Sequence, residues 1–135
     1  MKEVLSIEQM KHLKELGLDT SDASMHWQFL PTADSIINGT DEIEKEPCLF
    51  VSQPNMEHEY PAYTLQDILD KLPCFIGNQV LTIQKLADSY TCLYMESYTR
   101  SMINITESKE PIDAAYDMLC WCIENGYVKI GKEEQ

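Results

Sequence analysis

Apolar residues recur with helical spacing most clearly between Glu107 and Val128. Pro111 suits the first turn of a helix, where its missing N–H leaves nothing unpaired, and Asn125-Gly126 suits the end of one. The apolar positions form two stripes, one of Ile112, Ala115, Leu119, Cys122 and Ile123 and the other of Ala114, Met118 and Trp121. A helix that is apolar around most of its girth is buried on more than one side. The pattern therefore predicts a core helix that lies on a sheet.

The orientation of this helix follows from its polar positions. They are confined to a narrow seam of Asp113, Asp117, Cys120 and Glu124. Burying an unpaired carboxylate is costly, so we expect Asp117 and Glu124 to lie in solvent. The stripe that begins at Ile112 is then predicted to face the sheet, and Trp121 to be largely buried on a different flank. Tyr127 is predicted to fold back on Cys122 just past the end of the helix.

Two further helices are predicted from their first turns. Residues 5–17 begin with Ser6 and Gln9 at the spacing of a capping box, in which each residue accepts a hydrogen bond from the other's backbone N–H. Residues 63–73 begin in the same way, with Thr64 as the capping residue. Both segments carry apolar residues at helical spacing, so each helix is expected to bury one face.

Strand patterns occupy much of the remaining chain. Residues 25–29 alternate, so that Met25, Trp27 and Phe29 share one face of a strand while His26 lies on the other. The other predicted strands are residues 48–52, a β-meander of residues 80–85, 90–98 and 101–106, and a short edge strand at residues 128–130.

These elements predict an α+β fold. An antiparallel sheet, the β-meander, is expected to pack with the C-terminal core helix and two further helices, in layers like those of an α-β-α sandwich. At 135 residues the chain is expected to form a single domain, residues 1–135. Residues 31–47 and 53–61 are expected to be acidic loops, and residues 132–135 a disordered tail.

The charge of the chain limits its partners. It carries 23 acidic and 10 basic side chains and a net charge of -13 at pH 7. Nucleic acids and anionic membranes require clustered Lys and Arg, so neither is expected as a partner. A protein with a basic surface fits this charge, although solubility alone also explains it. The mean hydropathy of -0.31 predicts no membrane span, and the charged start MKEVLSIEQ predicts no signal peptide.

No metal or cofactor site is predicted. The chain has five cysteines in no framework spacing, which favours reduced thiols and a cytoplasmic location. Cys120 and Cys122 are two residues apart on a helix, so they point to different sides and cannot hold one ion together. The three histidines, His12, His26 and His58, have no metal-ligand spacing such as i, i+4 on a helix.

Two pairs of side chains could act in catalysis, and each has a simpler explanation. Asp113 and Asp117 lie one helical turn apart, and paired carboxylates can do acid–base work when their pKa values differ. Stabilisation of the helix terminus and solvation also explain them. Cys120 and Cys122 could act as nucleophiles only with a base nearby, and core packing explains both. We therefore assign no catalytic residue from the sequence.

One stripe of tyrosines is a candidate interaction surface. Tyr90, Tyr94 and Tyr98 alternate along the middle run of the predicted meander. Tyrosines offer a large, rigid contact area at modest entropic cost, so this stripe could bind a partner. The alternative is that the C-terminal helix covers it, because strand faces normally pack on helices.

Three blocks of the sequence together resemble one protein family. They are LSIEQMKHLKELGLDTSDASMHW at residues 5–27, PAYTLQDILDKLP at residues 61–73 and IDAAYDMLCWCIENGYV at residues 112–128. The family resembled consists of small hypothetical proteins of anaerobic gut bacteria, which sit in prophages and related mobile elements. It carries no assigned activity, so the resemblance transfers no catalytic or binding residue. The layout is also similar to that of small phage domains with an α-β-α sandwich.

Three functional hypotheses follow. The first is a small acidic interaction or accessory protein of a prophage or mobile element, without catalysis. The second is an inhibitor that mimics nucleic acid and blocks a host defence or DNA-processing protein, which would require clustered carboxylates on one face. The third is an enzyme with an unrecognised site, which would require a concave pocket with convergent polar groups. The oligomeric state stays open.

Overall fold

A computed structural model describes residues 1–39, 44–53 and 58–130, so the tail expected at residues 132–135 lies outside the described residues. The helices are α1 (Ile7–Glu15), α2 (Ala33–Asn38), α3 (Leu65–Lys71) and α4 (Pro111–Glu124). The strands are β1 (Met25–Pro31), β2 (Lys45–Val51), β3 (Tyr60–Ala62), β4 (Phe75–Ile76), β5 (Gln79–Lys85), β6 (Tyr90–Met95) and β7 (Met102–Ser108). The predicted α+β class is confirmed. Among the described residues, no helix is long and apolar enough to cross a membrane.

The strands form two antiparallel sheets. The predicted meander is present as β5, β6 and β7, with the short β4 added at its edge, in the order β4-β5-β6-β7. The other sheet has the order β2-β1-β3. The sequence predicted one sheet with sandwich-like layers, and the second sheet departs from that layering. Pairing between distant segments is not encoded in local alternation, so periodicity could not separate the two sheets.

The two predicted capping boxes are confirmed. Ser6 Oγ accepts the backbone N–H of Gln9 at 3.1 Å, and Gln9 Oε1 accepts that of Ser6 at 2.9 Å. Thr64 and Asp67 make the equivalent pair of bonds at the start of α3. Each box satisfies backbone donors that the helix itself cannot pair, which is why the starts of α1 and α3 are legible in the sequence.

Helix α4 is buried on both predicted apolar stripes, while Asp117 and Glu124 are exposed as predicted. Both stripes contact the sheet. Cys122 of the predicted stripe lies beside Cys92 and Tyr94 of β6. From the second stripe, the backbone O of Ala114 accepts the hydroxyl of Thr106 at 2.7 Å, and Met118 Sδ lies 3.8 Å from the amide of Asn104. The second stripe thus shares the contact that the sequence predicted for the first alone.

The end of α4 also differs from expectation. Trp121 is half-buried rather than largely buried, and its ring stacks on that of Tyr127 with centroids 5.4 Å apart. The backbone N–H of Tyr127 donates to the carbonyl of Cys122 at 2.8 Å, so the chain folds back on Cys122 as predicted. The predicted strand at residues 128–130 is absent. Val128 and Ile130 instead pack against the core, with Ile130 beside Gly17, where a Cβ would lie 3.0 Å from the Ile130 side chain.

The two predicted loops contain regular structure. Residues 31–47 include all of α2 and the start of β2, and residues 53–61 include the start of β3. Thr32 caps α2 by accepting the N–H of Ser35 at 3.2 Å, and Gly39 ends it with a φ of 62°. A helix of only six residues shows less than two turns of periodicity, which explains why its polar composition suggested a loop.

Candidate functional site

A two-stranded arm extends from the three-stranded sheet. We define the arm as the described residues from Gln28 to Val51, which comprise the end of β1, α2 and β2. Strands β1 and β2 pair along seven residues, from Met25 with Val51 to Pro31 with Lys45. Helix α2 sits at the tip between them. Ser35 attaches it by donating its hydroxyl to the carbonyl of Thr32 at 2.9 Å and that of Glu44 at 3.2 Å.

The arm exposes large apolar side chains. Ser35 is its single buried residue within the described part. Ile36 and Ile37 are 62% and 78% exposed, respectively. The other exposed apolar side chains of the arm are Phe29, Leu30, Phe50 and Val51. Scattered exposed apolar residues are ordinary, but a set gathered on one element is a candidate surface for another molecule to cover. Strand β7 exposes a second, less exposed set, Met102, Ile103 and Ile105.

The arm is also acidic in sequence. Its described residues include three carboxylates, Asp34, Glu44 and Glu46, and one lysine, Lys45, a net charge of -2. A net negative surface favours a partner of the opposite sign, because like charges across an interface are costly.

A groove of about 480 Å³ lies at the base of the arm. It forms where β3 ends while β1 continues, since β3 pairs only with Met25, His26 and Trp27. Its walls are His26, Trp27, Gln28, Phe29, His58, Glu59 and Tyr60. The rings of Phe29 and Tyr60 meet edge to face with centroids 5.3 Å apart. The groove thus combines aromatic walls with a carboxylate and two imidazoles.

Two histidines that are distant in sequence stack beside the groove. The rings of His26 and His58 lie 3.8 Å apart and within 12° of parallel, and Phe50 stacks on His26 at 5.9 Å. His26 is only 4% exposed. Its Nε2 lies 2.9 Å from the amide nitrogen of Gln28, and its Nδ1 lies 3.2 Å from Ser52 Oγ. An amide nitrogen only donates, so His26 Nε2 accepts, and Nδ1 carries the proton that is donated to Ser52.

This arrangement favours neutral His26. Burial lowers the pKa of His26, and the neighbouring charge of His58 lowers it further. It does not form a metal site, because the lone pairs of two nearly parallel rings do not converge on one ion. In the described ranges, no three His, Cys, Asp or Glu side chains are grouped so as to hold a metal.

The lowered pKa predicts a pH dependence of stability. The unfolded chain takes up a proton at His26 near the ordinary value of about 6.5, whereas the folded protein does so only at lower pH. Stability contributed by neutral His26 is therefore present above that pH and is lost as the pH falls below it. The test is urea unfolding at neutral pH and at a pH about one unit below 6.5. Between these two pH values, the free energy of unfolding should fall less in His26→Gln than in the unsubstituted protein. Equal losses in the two proteins would contradict this.

The predicted tyrosine surface is not assembled. Tyr94 is completely buried and donates its hydroxyl to the carbonyl of Pro73 at 2.7 Å, whereas Tyr98 is 96% exposed beyond the end of β6. Tyr90 is half-buried at the opposite end of the strand. The strand ends early because its register shifts at Met95, and the following turn places Arg100 at a φ of 61°. The alternation therefore stops before it reaches Tyr98.

The paired carboxylates of α4 differ in environment. Burial raises the pKa of Asp113, but hydrogen bonds from Gln9 at 3.0 Å and Lys2 at 2.8 Å outweigh it, and the net pKa lies below its usual range. Burial raises the pKa of Asp117, and the charge of Asp113 adds to that. Asp113 thus links α4 to α1 and the N-terminal segment, which is a structural role, while Asp117 lies on an exposed helix surface.

The cysteines of the core should be unreactive. Burial raises the pKa of Cys92 to about 12 and the pKa of both Cys120 and Cys122 to about 11. The thiolate is the reactive form, so these three should alkylate slowly near neutral pH. Cys74 is exposed and should react first. Peptide mapping after brief native alkylation checks this order, and modification of Cys92 before Cys74 would contradict it.

The arm and the groove were both missed from the sequence. The available signals were Thr32 as a capping residue, Gly39 as a helix end and the pair Ile36-Ile37 between them. No local pattern brings His58 to His26. Comparisons with protein families, curated proteins and solved structures gave no match for this chain.

Proposed function

We propose that this chain is a non-catalytic interaction protein that binds a basic partner protein through its arm. One observation carries the proposal: Ile36 and Ile37 stand 62% and 78% exposed at the tip of the arm, on a helix that the rest of the described chain does not cover. Covering two large apolar side chains at one site is favourable, because it removes their apolar surface from water. Burying such anchors in a partner pocket is how small interfaces obtain most of their affinity.

The charge of the arm supports a basic partner over a second copy of the chain. Two arms whose described residues each carry a net charge of -2 would repel each other, as would two chains of -13. A pocket bordered by Lys or Arg would be attracted instead, and this attraction would speed the encounter. The resemblance to mobile-element proteins agrees with an accessory role of this kind.

The hydrogen bonds of His26 argue against this histidine as a catalytic base. Both ring nitrogens of His26 are already hydrogen-bonded, to Gln28 and Ser52, so His26 has no free lone pair for a substrate proton. Two carboxylates are not free to mimic phosphates, because Asp22 pairs with Lys71 at 2.5 Å and Asp113 with Lys2 at 2.8 Å.

Affinity capture with matched variants tests the proposal. Immobilised wild-type protein should retain a basic protein from the cell that produces it, and Ile36→Ser/Ile37→Ser should weaken this retention at least about tenfold, as for interface hot spots. The control is Ile103→Ser/Ile105→Ser, which changes two exposed isoleucines of β7. Retention should also weaken as salt rises, because exposed charges are screened.

The outcome is read from the ratio between the variants. The proposal is supported if the arm variant no longer retains the basic protein and the β7 variant still does. Equal retention by both variants, or no protein retained by the wild type, counts against it. Circular dichroism of the two variants establishes that both are folded before the comparison is made.

A further inference from the structure

Strand β1 has an open edge beside the groove. On one side it pairs with β2 along its whole length, from Met25 to Pro31. On the other side, β3 pairs only as far as Trp27, which faces Tyr60. Beyond that point His58 and Glu59 line the groove and are not part of a strand. The stretch of β1 after Trp27 therefore has a strand neighbour on one side only among the described residues.

Backbone hydrogen bonds at both ends of the β1–β2 ladder show which groups point to the open edge. The N–H of Ser52 donates to the carbonyl of Ser24 at 2.9 Å, and the N–H of Thr32 donates to that of Glu44 at 2.8 Å. Residues 24 and 32 therefore direct their backbone groups to the β2 side. Because this direction alternates along an antiparallel strand, the even-numbered residues of β1 face β2 and the odd-numbered residues face the opposite side.

The prolines of the neighbouring strands agree with this assignment. Pro47 of β2 lies opposite Phe29, and Pro61 of β3 lies opposite His26. Proline has no N–H, so it suits positions where the ladder places no hydrogen bond, and both positions are of that kind. The N–H and C=O of Phe29 therefore point away from β2 and into the groove, where no described strand residue pairs with them.

We infer that the groove binds an extended peptide segment, which adds to the sheet as a strand along the open edge of β1. Phe29 offers one main-chain donor and one acceptor, the pattern that an added strand requires. The aromatic pair Phe29 and Tyr60 supplies an apolar wall for alternate side chains of that segment.

The chemistry of the groove favours a basic segment. Glu59 is the one carboxylate among its lining residues, and the described residues of the adjoining arm carry a net charge of -2. Lys or Arg on the added strand would meet these charges, while β-branched apolar residues would suit the aromatic wall. This inference rests on the proposed function in one respect, because it names the part of the basic partner that contacts the base of the arm.

Hydrogen exchange at single amides, followed by NMR, tests the inference on the intact chain. In the free protein the amides of Gln28 and Leu30 should be protected by β2, and that of Phe29 should exchange faster. The probe is a short blocked peptide of alternating lysine and valine. At saturation it should slow exchange of the Phe29 amide by about tenfold or more, as for an amide that gains a ladder bond.

Two variants separate the main-chain contact from the side chain. Phe29→Ala keeps the N–H and should still bind the peptide, more weakly. Phe29→Pro removes the N–H at an edge position where proline is tolerated, and it should bind at least about tenfold more weakly than Phe29→Ala, as for the loss of a buried hydrogen-bond pair. Equal binding by the two variants would overturn the main-chain contact.

Three further results would overturn the inference. They are a Phe29 amide as protected as its neighbours in the free protein, no change at saturating peptide, and equal protection by a peptide of alternating glutamate and valine. The peptide experiment uses neither Ile36 nor Ile37. If the peptide does not bind but the Ile36→Ser/Ile37→Ser variant loses its partner, only the role of the groove is rejected. If the peptide binds but that variant keeps its partner, only the role of the arm tip is rejected.

Discussion

Leu119→Ala should lower the free energy of unfolding by about 2–5 kcal/mol, the range for a leucine truncated in a core. Leu119 is completely buried in the main hydrophobic cluster. The same cluster contains Leu13 of α1, Ile68 of α3 and Cys92 of β6. These helices and strands cannot all close around a smaller side chain, so a cavity should remain.

Asp117→Ala is the matched control on the same helix. Asp117 is exposed, and a surface change of this kind should alter stability by less than about 1 kcal/mol. Partial burial, and then the charge of Asp113, raise the pKa of Asp117. The fold therefore does not stabilise the ionised carboxylate. Urea unfolding of both variants decides the comparison. A larger loss for Asp117→Ala than for Leu119→Ala would show that α4 is rotated and that the carboxylate is buried.

Tyr94→Ala should lower the free energy of unfolding by about 3–5 kcal/mol, as for large aromatic side chains removed from a core. Tyr94 is completely buried, and its hydroxyl donates to the carbonyl of Pro73 at 2.7 Å. Burial is the main cause that raises the pKa of Tyr94, which agrees with a hydroxyl that stays neutral in the core. Tyr94→Phe should cost about 1 kcal/mol, since it leaves the carbonyl without its donor.

Tyr98→Ala is the control for this second prediction. Tyr98 is 96% exposed, so its truncation should change stability by no more than about 0.5 kcal/mol. The two tyrosines would behave alike if the alternation of the sequence continued through the strand as a surface stripe. Thermal unfolding of Tyr94→Ala and Tyr98→Ala tests this difference. Equal losses of stability in the two variants would contradict the placement of Tyr94 in the core and Tyr98 in solvent.

Features set by neighbouring residues were predictable from the sequence. The capping boxes of Ser6 with Gln9 and of Thr64 with Asp67 depend on groups only three residues apart, so sequence spacing determines them. The burial of both stripes of α4 followed from composition around one helix. The three strands of the meander followed from alternation and short turns, because consecutive antiparallel strands pair locally.

Features set by distant residues were not predictable. The contact between His26 and His58 depends on β3 lying beside β1, and alternation within either segment does not show it. The exposure of Ile36 and Ile37 depends on how far the arm extends from the body, which is a property of the whole fold. The tyrosine stripe failed because the register shift at Met95 ends β6 before Tyr98.

Site-specific photocrosslinking in the producing cell tests the central claim most directly. The photoreactive residue p-benzoylphenylalanine at position 37, in place of Ile37, should form an adduct with one basic protein after illumination. The same residue at position 105, in place of the exposed Ile105 on β7, should not form that adduct. Adducts of the same composition at both positions, or no protein adduct at position 37, would contradict the proposal that the arm binds a basic partner.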